Sequence, residues 1–454
     1  MKLKIALLAA CTTASLQAQP PNIVLLFSDD AGYADFGFHG STECQTPRLD
    51  QLAKQSIRCT QAYVSASVCG PSRAGLLTGR YQQRFGFEEN NVPRAMSDAG
   101  LTGEDMGLPL DQKTVADYLK AQGYRSIILG KWHQGGADRF HPLKRGFDEF
   151  YGFRGGARSY YAYKKGQKVD PLNWMERDFA GFKEHDGYLT DVLADEACAF
   201  IERNQKDPFF VFLSFNAVHA PMHARDEDMA HFPKLKGNRK KQAAMMLAMD
   251  RACGQVLDQL ETLGLAENTL VVFTNDNGGT PQNSAKNDPL SGVKATHLEG
   301  GIRVPFLIKW PGKFTADTTY AHPISLLDLL PTFVDVAGGA DTLQKIDGVS
   351  LLPYLTGKKA DRPHQTLYWK KETRAAIREG DLKLIRLPDR PAELYDISKD
   401  PSEVNNLAAA QPQTVRELYK KIFAWELELE RPIWQLKRKY EGSSMERFDG
   451  YRQK

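Results

Sequence analysis

Four short runs rich in β-branched and aromatic residues have the composition of buried strands: 22–27, 126–129, 209–215 and 270–274. Longer amphipathic stretches separate these runs, and the pattern predicts helices at Val115–Ala121 and at about 239–263. In the second helix the apolar positions that face the core are Met246, Met249, Val256, Leu257 and Leu260. Alternating buried strands and helices predict an α/β fold, with a large mixed sheet flanked by helices on both faces.

After Gly357 the pattern changes to short strand-like pieces, at 365–369, 373–378, 382–386 and 393–396. A helix is predicted at about 413–428, so this part forms a small antiparallel sheet with one packed helix. The last twenty or so residues are polar and basic, which predicts a loosely packed tail. The predicted organisation is a catalytic α/β domain at 19–360 and an α+β subdomain with a basic tail at 361–454.

The first residues have the pattern of a targeting segment. Lys2 and Lys4 precede a short apolar stretch, and Leu16-Gln17-Ala18 is similar to an Ala-ending cleavage site. The pattern predicts a signal peptide at 1–18 and export, with a bacterial periplasm as the expected compartment. An alternative is lipoprotein anchoring through Cys11, which ranks second because the apolar stretch before it is very short. No other apolar run is long enough to predict a membrane span.

Net charge and cysteine spacing argue against nucleic-acid binding and against a structural zinc site. The 454 residues include 59 Lys and Arg and 56 Asp and Glu, a net charge of +3, which gives no support for nucleic acid as a partner. A net charge of +3 remains compatible with a local basic patch that binds an anionic polymer. The cysteines beyond the leader fit no zinc-binding pattern, and the sequence leaves disulfides or buried thiols open for Cys44, Cys59, Cys198 and Cys253.

Each of the four predicted central strands runs directly into reactive side chains. In chain order these are Asp29 and Asp30, Lys131 and His133, His219, and Asp276 and Asn277. Ligands bind outside the carboxyl ends of the strands in open α/β sheets, so we expect these side chains to meet at one edge. Histidine titrates near neutral pH, which makes His219 a candidate general acid.

Asp29, Asp30, Asp276 and Asn277 offer only hard oxygen donors. Such donors suit Ca²⁺ or Mg²⁺ and argue against zinc, which prefers imidazole and thiolate. A single Asp after a strand is more often a helix cap or a turn former. Two adjacent carboxylates matched by a distant Asp-Asn pair favour a metal site instead, with Ca²⁺ ahead of Mg²⁺ because it tolerates a more flexible shell.

Cys69 stands at a predicted helix start, because Pro71 suits the first turn of a helix. Its side chain would lie at the positive end of the helix dipole, beside free backbone N–H groups that attract an oxyanion. The alternative for an isolated cysteine is a buried thiol ahead of a helix. The residues that follow Cys69 are more informative about its role than its position at a helix start.

Cys69-Gly70-Pro71-Ser72-Arg73, followed by Ala-Gly-Leu-Leu-Thr-Gly-Arg, resembles the signature of formylglycine-dependent sulfatases of the alkaline phosphatase superfamily. Further matching stretches are Gly-Lys-Trp-His at 130–133, Glu-Gly-Gly-Ile-Arg-Val-Pro at 299–305 and Glu-Leu-Tyr-Asp at 393–396. The resemblance covers nearly the whole chain after the leader and implies an alkaline-phosphatase-like fold with sulfatase activity. Two alternatives stay open, a phosphodiester or phosphonate monoester hydrolase of the same superfamily and a non-catalytic carbohydrate-binding relative.

The resemblance also implies site roles. A formylglycine-generating enzyme would oxidise Cys69, and the hydrated aldehyde would attack sulfur to give a covalent sulfated enzyme. Together with Cys69, the four oxygen-bearing residues would hold one divalent cation, and Asp276 would accept a proton. The remaining implied catalytic residues are Arg73, Lys131, His133, His219 and Lys294. The usual Arg-Gly-Gly-Lys is Ser-Gly-Val-Lys at 291–294 here, so the assignment of Lys294 rests on spacing.

The segment that contains Arg154, Arg158 and Tyr160 is basic and aromatic, which suits a sulfated sugar, although an ordinary solvated loop is the alternative. His223 is a candidate for the leaving-group pocket, and His297 would either contact substrate or pack. The expected partner is a sulfated oligo- or polysaccharide, either an algal galactan such as carrageenan or a glycosaminoglycan.

Overall fold

The computed structural model describes residues 20–164 and 166–452. The predicted leader and Cys11 lie outside the described residues. Within that part of the chain, no helix has the length and apolar character needed to cross a bilayer. The five cysteines at 44, 59, 69, 198 and 253 are all free thiols, which answers the disulfide question for the described residues.

Sixteen strands lie in the described part: β1 (Asn22–Ser28), β2 (Ile57–Cys59), β3 (Ala62–Tyr63), β4 (Arg125–Lys131), β5 (Glu149–Phe153), β6 (Glu176–Arg177), β7 (Phe209–Ser214), β8 (Thr269–Asn275), β9 (Arg303–Val304), β10 (Phe306–Lys309), β11 (Thr318–Tyr320), β12 (Ile324–Ser325), β13 (Thr366–Lys371), β14 (Arg374–Glu379), β15 (Leu382–Arg386) and β16 (Glu393–Asp396). The α-helices described there are α1 (Pro47–Lys54), α2 (Cys69–Thr78), α3 (Val115–Ala121), α4 (Leu189–Asn204), α5 (Asp226–Ala230), α6 (Gly237–Thr262), α7 (Glu299–Ile302), α8 (Leu329–Val336), α9 (Leu352–Leu355), α10 (Pro412–Glu426), α11 (Arg438–Glu441) and α12 (Ser443–Arg452).

Nine strands form one mixed sheet in the order β11-β2-β10-β8-β1-β7-β4-β5-β6. The four central strands, β8, β1, β7 and β4, are mutually parallel, and β10 pairs antiparallel with β8. Strand β1 is buried on both faces, with Ile23, Leu25 and Phe27 in one apolar cluster and Val24 and Leu26 in the other. Helices α2, α3 and α8 contribute to the first cluster and α1, α4 and α6 to the second, so the predicted layers are confirmed.

Most predicted elements lie within two residues of the observed ones. Helix α3 has the predicted bounds, and α6 starts and ends close to the expected positions. In α6 the side chains of Met246, Met249, Val256 and Leu260 are buried as expected, whereas Leu257 is half-buried. The period of apolar positions was therefore a sound guide to which face of this helix meets the sheet.

A four-stranded antiparallel sheet, in the order β13-β14-β15-β16, packs against α10 through a small apolar cluster that includes Ile377, Leu394 and Ile422. The expected loose tail is corrected by the structure. Its helix α12 buries Phe448, and Arg452 donates hydrogen bonds to Glu393 and to the Glu403 carbonyl. The prediction of loose packing from the basic composition was wrong, because the arginines of the tail donate to buried or half-buried acceptors.

A fully buried ion cluster joins the small sheet to helix α7. Lys383 on β15 donates to Glu299 and to Glu403, at 2.8 Å in each case, and all three side chains are inaccessible. Glu403 also accepts hydrogen bonds from the Ser291 hydroxyl and from the Glu299 backbone N–H. The C-terminal sheet therefore supports the segment that carries Lys294.

Candidate active site

The polar ends of the four central strands meet at one edge of the sheet. Asp29, directly after β1, donates its backbone N–H to the Ala217 carbonyl after β7, at 2.8 Å. Asp276, directly after β8, donates its backbone N–H to the Ser28 carbonyl, at 3.2 Å. The predicted convergence at the carboxyl edge is confirmed, because parallel neighbouring strands end at the same level.

Cys69 is the first residue of α2 and is 1% exposed. The preceding residue is extended Val68, whose side chain offers no cap to the helix. Asn90 takes part of that role, since its side-chain oxygen accepts the Gly70 N–H at 2.7 Å. The Lys294 ammonium lies 3.0 Å from the Cys69 sulfur, and an Asp29 oxygen lies 3.7 Å from it.

The Cys69 thiol is unsuited to act as a nucleophile in its unmodified form. Burial and the nearby Asp276 carboxylate raise its pKa to about 12. At neutral pH such a thiol is ionised in only about one molecule in 10⁵. Reactive cysteines have lowered pKa values, so the position calls for different chemistry at this side chain.

Three carboxylates and three cations surround the sulfur. Arg73 donates to Asp276 at 3.1 and 3.2 Å and to Asp29 at 3.4 Å. Lys131 donates to the same Asp29 oxygen as Arg73, while the other Asp29 oxygen faces the Cys69 sulfur. The Lys294 ammonium donates to both oxygens of Asp30, at 2.7 and 2.8 Å. The cluster as a whole is close to neutral, because three cations balance three carboxylates.

The carboxylates do not titrate alike. Burial opposes ionisation of Asp30, but the charge of Lys294, with a smaller contribution from Lys131, holds its pKa well below its ordinary value. Burial and the adjacent Asp29 carboxylate raise the pKa of Asp276 to about 6. A carboxylate close to two others is the hardest to ionise, and a cation placed among them would lower that pKa.

The residues present fit a hard divalent cation. Donor atoms of Asp29, Asp30, Cys69 and His219 lie within 4.8 Å of one another. The side-chain oxygen of Asn277 is buried and has no hydrogen-bond partner, while its amide nitrogen donates to Asp30 at 2.7 Å. An orphaned amide oxygen beside several carboxylate oxygens is a donor set for Ca²⁺ or Mg²⁺. Asp276 adjoins this group and accepts the Asp30 N–H at 3.2 Å.

Two histidines complete the site. His133 has a positive φ of 58°, and its buried Nδ1 has no hydrogen-bond partner. Burial, together with the charge of Lys131, lowers its pKa well below the ordinary value. His219 lies with Nδ1 2.6 Å from the Ala220 carbonyl and Nε2 3.5 Å from an Asp30 oxygen, and burial lowers its pKa to about 4. Both imidazoles are therefore neutral at pH 7 in the free protein.

A cavity of about 270 Å³, called here the catalytic cavity, opens onto these groups. Among its lining residues are Cys69, His133, His219 and Lys294. The other predicted catalytic residues, Arg73 and Lys131, lie beneath its floor, since both are buried against the carboxylates.

The predicted substrate residues divide into two groups. Arg154 lines the catalytic cavity, with its guanidinium held by Glu176 and Asp138. Arg158 and Tyr160 are buried outside the lining. Arg158 pairs with Glu184, whereas the Tyr160 hydroxyl donates to the carbonyls of Asn216 and His219.

His223 and His297 also lie outside the cavity lining. His223 contacts the Ser159 hydroxyl through Nδ1 at 3.2 Å. His297 is buried, and its pKa is lowered by that burial and by the charges of Arg374 and Lys383, which places it under the C-terminal sheet. Of the two alternatives for His297, the structure favours packing.

Sequence reasoning missed several polar residues of the site. Asn90, Asn91, Asp170 and Asn173 line the catalytic cavity, and the Ser214 hydroxyl accepts a hydrogen bond from Arg73 at 2.6 Å. The first four belong to loops without a strand end or a local motif to single them out. Ser214 is the last residue of β7, so the strand-end argument would have found it.

Gly156→Ala is expected to lower kcat/KM by one to two orders of magnitude, because displacing a catalytic group by about 1 Å can cost roughly 100-fold. An added Cβ would lie 2.7 Å from two ring atoms of His133, so the imidazole would have to move. Gly450→Ala is the matched control, since a Cβ there meets no atom within 4 Å. Steady-state kinetics with an aryl sulfate, together with thermal unfolding, would check this prediction. Unchanged kinetics for Gly156→Ala would contradict the placement of His133.

Comparison with known proteins agrees with this geometry. A family model described as Sulfatase matches residues 21–340, and one described as N-sulphoglucosamine sulphohydrolase, C-terminal, matches residues 294–428. The N-acetylgalactosamine-6-sulfatase of Canis lupus familiaris is 34% identical over 401 residues, which cover 84% of this chain and 74% of the relative. The Homo sapiens protein of the same name is 34% identical over 386 residues, covering 82% and 72%.

Solved structures show the same likeness. The crystal structure of Ps i-CgsB in complex with k-i-k-neocarrahexaose is 35% identical with a TM-score of 0.86, and the match covers 95% of this chain and 99% of that one. The phosphonate monoester hydrolase of Agrobacterium radiobacter, at 19% identity and a TM-score of 0.63, shares the fold alone. The chain belongs to the sulfatase family and is a sulfuric ester hydrolase.

Proposed function

We propose that this sulfatase hydrolyses sulfate esters of a carbohydrate, with Cys69 converted to formylglycine as the source of its nucleophile. The observation that carries the proposal is the buried Cys69 side chain at the start of α2, within 4 Å of Lys294 and Asp29. Its thiol pKa of about 12 makes the unmodified side chain a poor nucleophile, whereas an oxygen nucleophile at this position would point into the catalytic cavity.

We propose Asp29, Asp30, Asp276 and Asn277 as the cation ligands, together with the modified Cys69 side chain. When bound, Ca²⁺ or Mg²⁺ would polarise the sulfate oxygens. Lys294 and Lys131 would bind the remaining anionic oxygens, and Arg73 would hold Asp29 and Asp276 in place through its fork of donors. These fixed charges lie in a site shielded from water, where they stabilise developing negative charge strongly.

His219 is proposed as the general acid and His133 as a base in the second half of the reaction. The neutral His219 of the free protein carries its proton on Nδ1, which faces the Ala220 carbonyl. An anionic ester in the cavity would favour the protonated imidazole, since opposite charges raise the pKa of a histidine. Nε2 could then donate its proton to the leaving alcohol.

The substrate class is proposed from the relatives and from the lining of the cavity. Two of the relatives are named N-acetylgalactosamine-6-sulfatase, and the Ps i-CgsB structure is a complex with k-i-k-neocarrahexaose. Arg154 and the amides of Asn90 and Asn173 supply polar contacts for such a substrate. An algal galactan such as carrageenan is the first candidate, and a glycosaminoglycan is the second.

We also propose where the protein is located, how it matures and how its domains are divided. The basic and apolar leader at 1–18 would direct it to the periplasm, and a formylglycine-generating enzyme would be its maturation partner. We retain the division into a catalytic domain at 19–360 and a C-terminal subdomain at 361–454.

The proposal is tested by comparing turnover of an aryl sulfate with that of an aryl phosphate diester, using matured protein. We expect the sulfate to be strongly preferred and the Cys69 peptide to be roughly 18 Da lighter than the cysteine form, a value set by side-chain chemistry. Release of free sulfate from defined sulfated oligosaccharides would then identify the sugar. Full activity with an unaltered cysteine would refute the proposal.

Chelation and readdition of Ca²⁺ test the cation site. Readdition is expected to raise the melting temperature of the chelated protein, because binding to the folded state alone stabilises it. Asn277→Leu should weaken this calcium response, since it removes the orphaned buried oxygen. Gln413→Leu, on the exposed side of α10, is the control and should respond like the unmodified chain. An undiminished response in Asn277→Leu would argue against Asn277 as a ligand.

A further inference from the structure

A second cavity of about 340 Å³, called here the outer cavity, adjoins the catalytic cavity. Arg154 and Leu172 line both, so the two cavities share a wall. Trp174, Phe179 and Phe182 also line the outer cavity but do not line the catalytic cavity. A molecule that fills the catalytic cavity and is longer than one sugar ring would therefore reach this aromatic lining.

Two of these aromatic side chains are exposed, Trp174 is half-buried, and each of the three contacts another ring. Phe182 is 65% exposed and Phe179 is 47% exposed. The Trp174 ring lies 6.3 Å from that of Phe182 and 5.5 Å from that of Tyr163, while Phe179 stacks on His141 at 4.0 Å. Neighbouring exposed aromatic rings mark a binding surface, and ordered rings lose little conformational freedom when a ligand packs on them.

The charges in the outer cavity exclude a strongly anionic occupant. Arg154 is the one cation among the described residues that line the outer cavity. Its guanidinium is held by Glu176 at 2.5 and 3.0 Å and by Asp138 at 2.7 Å. Two carboxylates thus outnumber one guanidinium. A further cation, Lys144, lies 5.9 Å from the Phe179 ring but outside the lining. A sulfate group would meet net negative charge here, whereas the apolar face of a neutral sugar would meet aromatic rings.

We propose that the outer cavity is a second sugar subsite, which binds the unsulfated sugar that adjoins the sulfated one in an oligo- or polysaccharide. The inference rests on the proposed carbohydrate sulfatase activity and adds the recognition of a neighbouring sugar. Stacking on Phe182 and Trp174 supplies the contact, and the paired carboxylates of Asp138 and Glu176 accept hydrogen bonds from sugar hydroxyls. The subsite favours substrates of two or more sugars over a single sulfated sugar.

The test compares sulfate release from a galactose monosulfate and from a singly sulfated galactotriose that carries the same ester. Phe182→Ala is expected to lower the ratio of kcat/KM for the trisaccharide over the monosaccharide about tenfold, which corresponds to about 1.4 kcal/mol. Phe182→Tyr should keep the ratio, because it keeps the ring. Phe423→Ala, which removes a 51% exposed ring on α10, is the matched control and should leave the ratio unchanged.

An unchanged ratio in Phe182→Ala would overturn the subsite while leaving the sulfatase activity standing. Absence of sulfate release from both sugars by the unmodified chain, with turnover of an aryl sulfate, would instead refute the galactan as its substrate. A doubly sulfated substrate tests whether the outer cavity excludes an anionic sugar. A second sulfate on the neighbouring sugar should lower kcat/KM for the unmodified chain, and Asp138→Asn should reduce that loss. Equal or faster turnover of the doubly sulfated sugar would overturn the assignment of an unsulfated occupant.

Discussion

Cys69→Ala is expected to lower kcat/KM for an aryl sulfate by about 10⁴- to 10⁶-fold, the range found when a nucleophile is removed from an enzyme that uses one. The side chain lies at the start of α2 with Lys294 3.0 Å from its sulfur, and the Cys69–Arg73 motif provides the residue that the maturation enzyme would oxidise. Alanine cannot be converted to an aldehyde, so neither the modified residue nor its oxygen nucleophile would form. Steady-state kinetics and the mass of the peptide that contains residue 69 would measure the effect.

The fold should survive this change, because the sulfur makes only one close contact with a cation and occupies little volume. Thermal unfolding would verify that. Cys198→Ala, at a half-buried cysteine on α4, is the matched control and should retain full activity. Substantial turnover by Cys69→Ala would mean that the nucleophile is supplied by another group.

Lys383→Met is expected to destabilise the protein by about 3–5 kcal/mol, the cost of removing one partner from a buried ion pair. Burial alone would disfavour ionised Glu299, but the Lys383 charge holds its pKa at about 2. Without the ammonium, Glu403 would be buried without the Lys383 charge, and Glu299 would keep only the more distant Arg303 guanidinium, at 3.5 Å. Urea denaturation at pH 7 would measure the change in the free energy of unfolding.

The pH dependence of that loss gives a sharper test. Burial already raises the pKa of Glu403 in the unmodified chain, and in the variant the pKa of Glu299 would rise as well. Both carboxyls would then take up protons in the folded state before they do so in the unfolded chain. The deficit should therefore be largest at neutral pH and shrink as the pH falls through those raised values. Lys420→Met, which removes an exposed partner of Glu417, should change stability by less than about 1 kcal/mol. A pH-independent deficit would show that lost packing, and not charge, is the cause.

The sequence allowed the architecture to be predicted because buried strands have a recognisable composition and helices a recognisable period. Strands β1, β4, β7 and β8 and helix α3 were predicted within two residues of their observed ends. The polar residues directly after these strands could be predicted to meet, since parallel strands end at one edge of a sheet. The sequence therefore predicted that Asp29, Asp30 and Asp276 lie close together.

The positions of the predicted substrate-binding residues could not be predicted from strand ends. Arg158 and Tyr160 lie in the same segment as Arg154, yet Arg154 alone of the three lines the catalytic cavity. The loop has no repeating period, so its sequence does not indicate which side chains turn inward. The packing of Tyr160 beneath the His219 backbone is a long-range contact that only the folded chain defines.

By itself, the sequence determined the α/β class, the edge at which the polar strand ends meet, the sulfatase motif around Cys69 and the hard-oxygen character of the proposed cation site. These features depend on local composition and on short motifs, which are readable in the order of the residues. The tertiary structure decided the pairing of Lys294 with Asp30, the buried Lys383 cluster and the aromatic outer cavity. Each of these joins residues far apart in the chain, and their distances depend on how loops and sheets pack rather than on any local pattern.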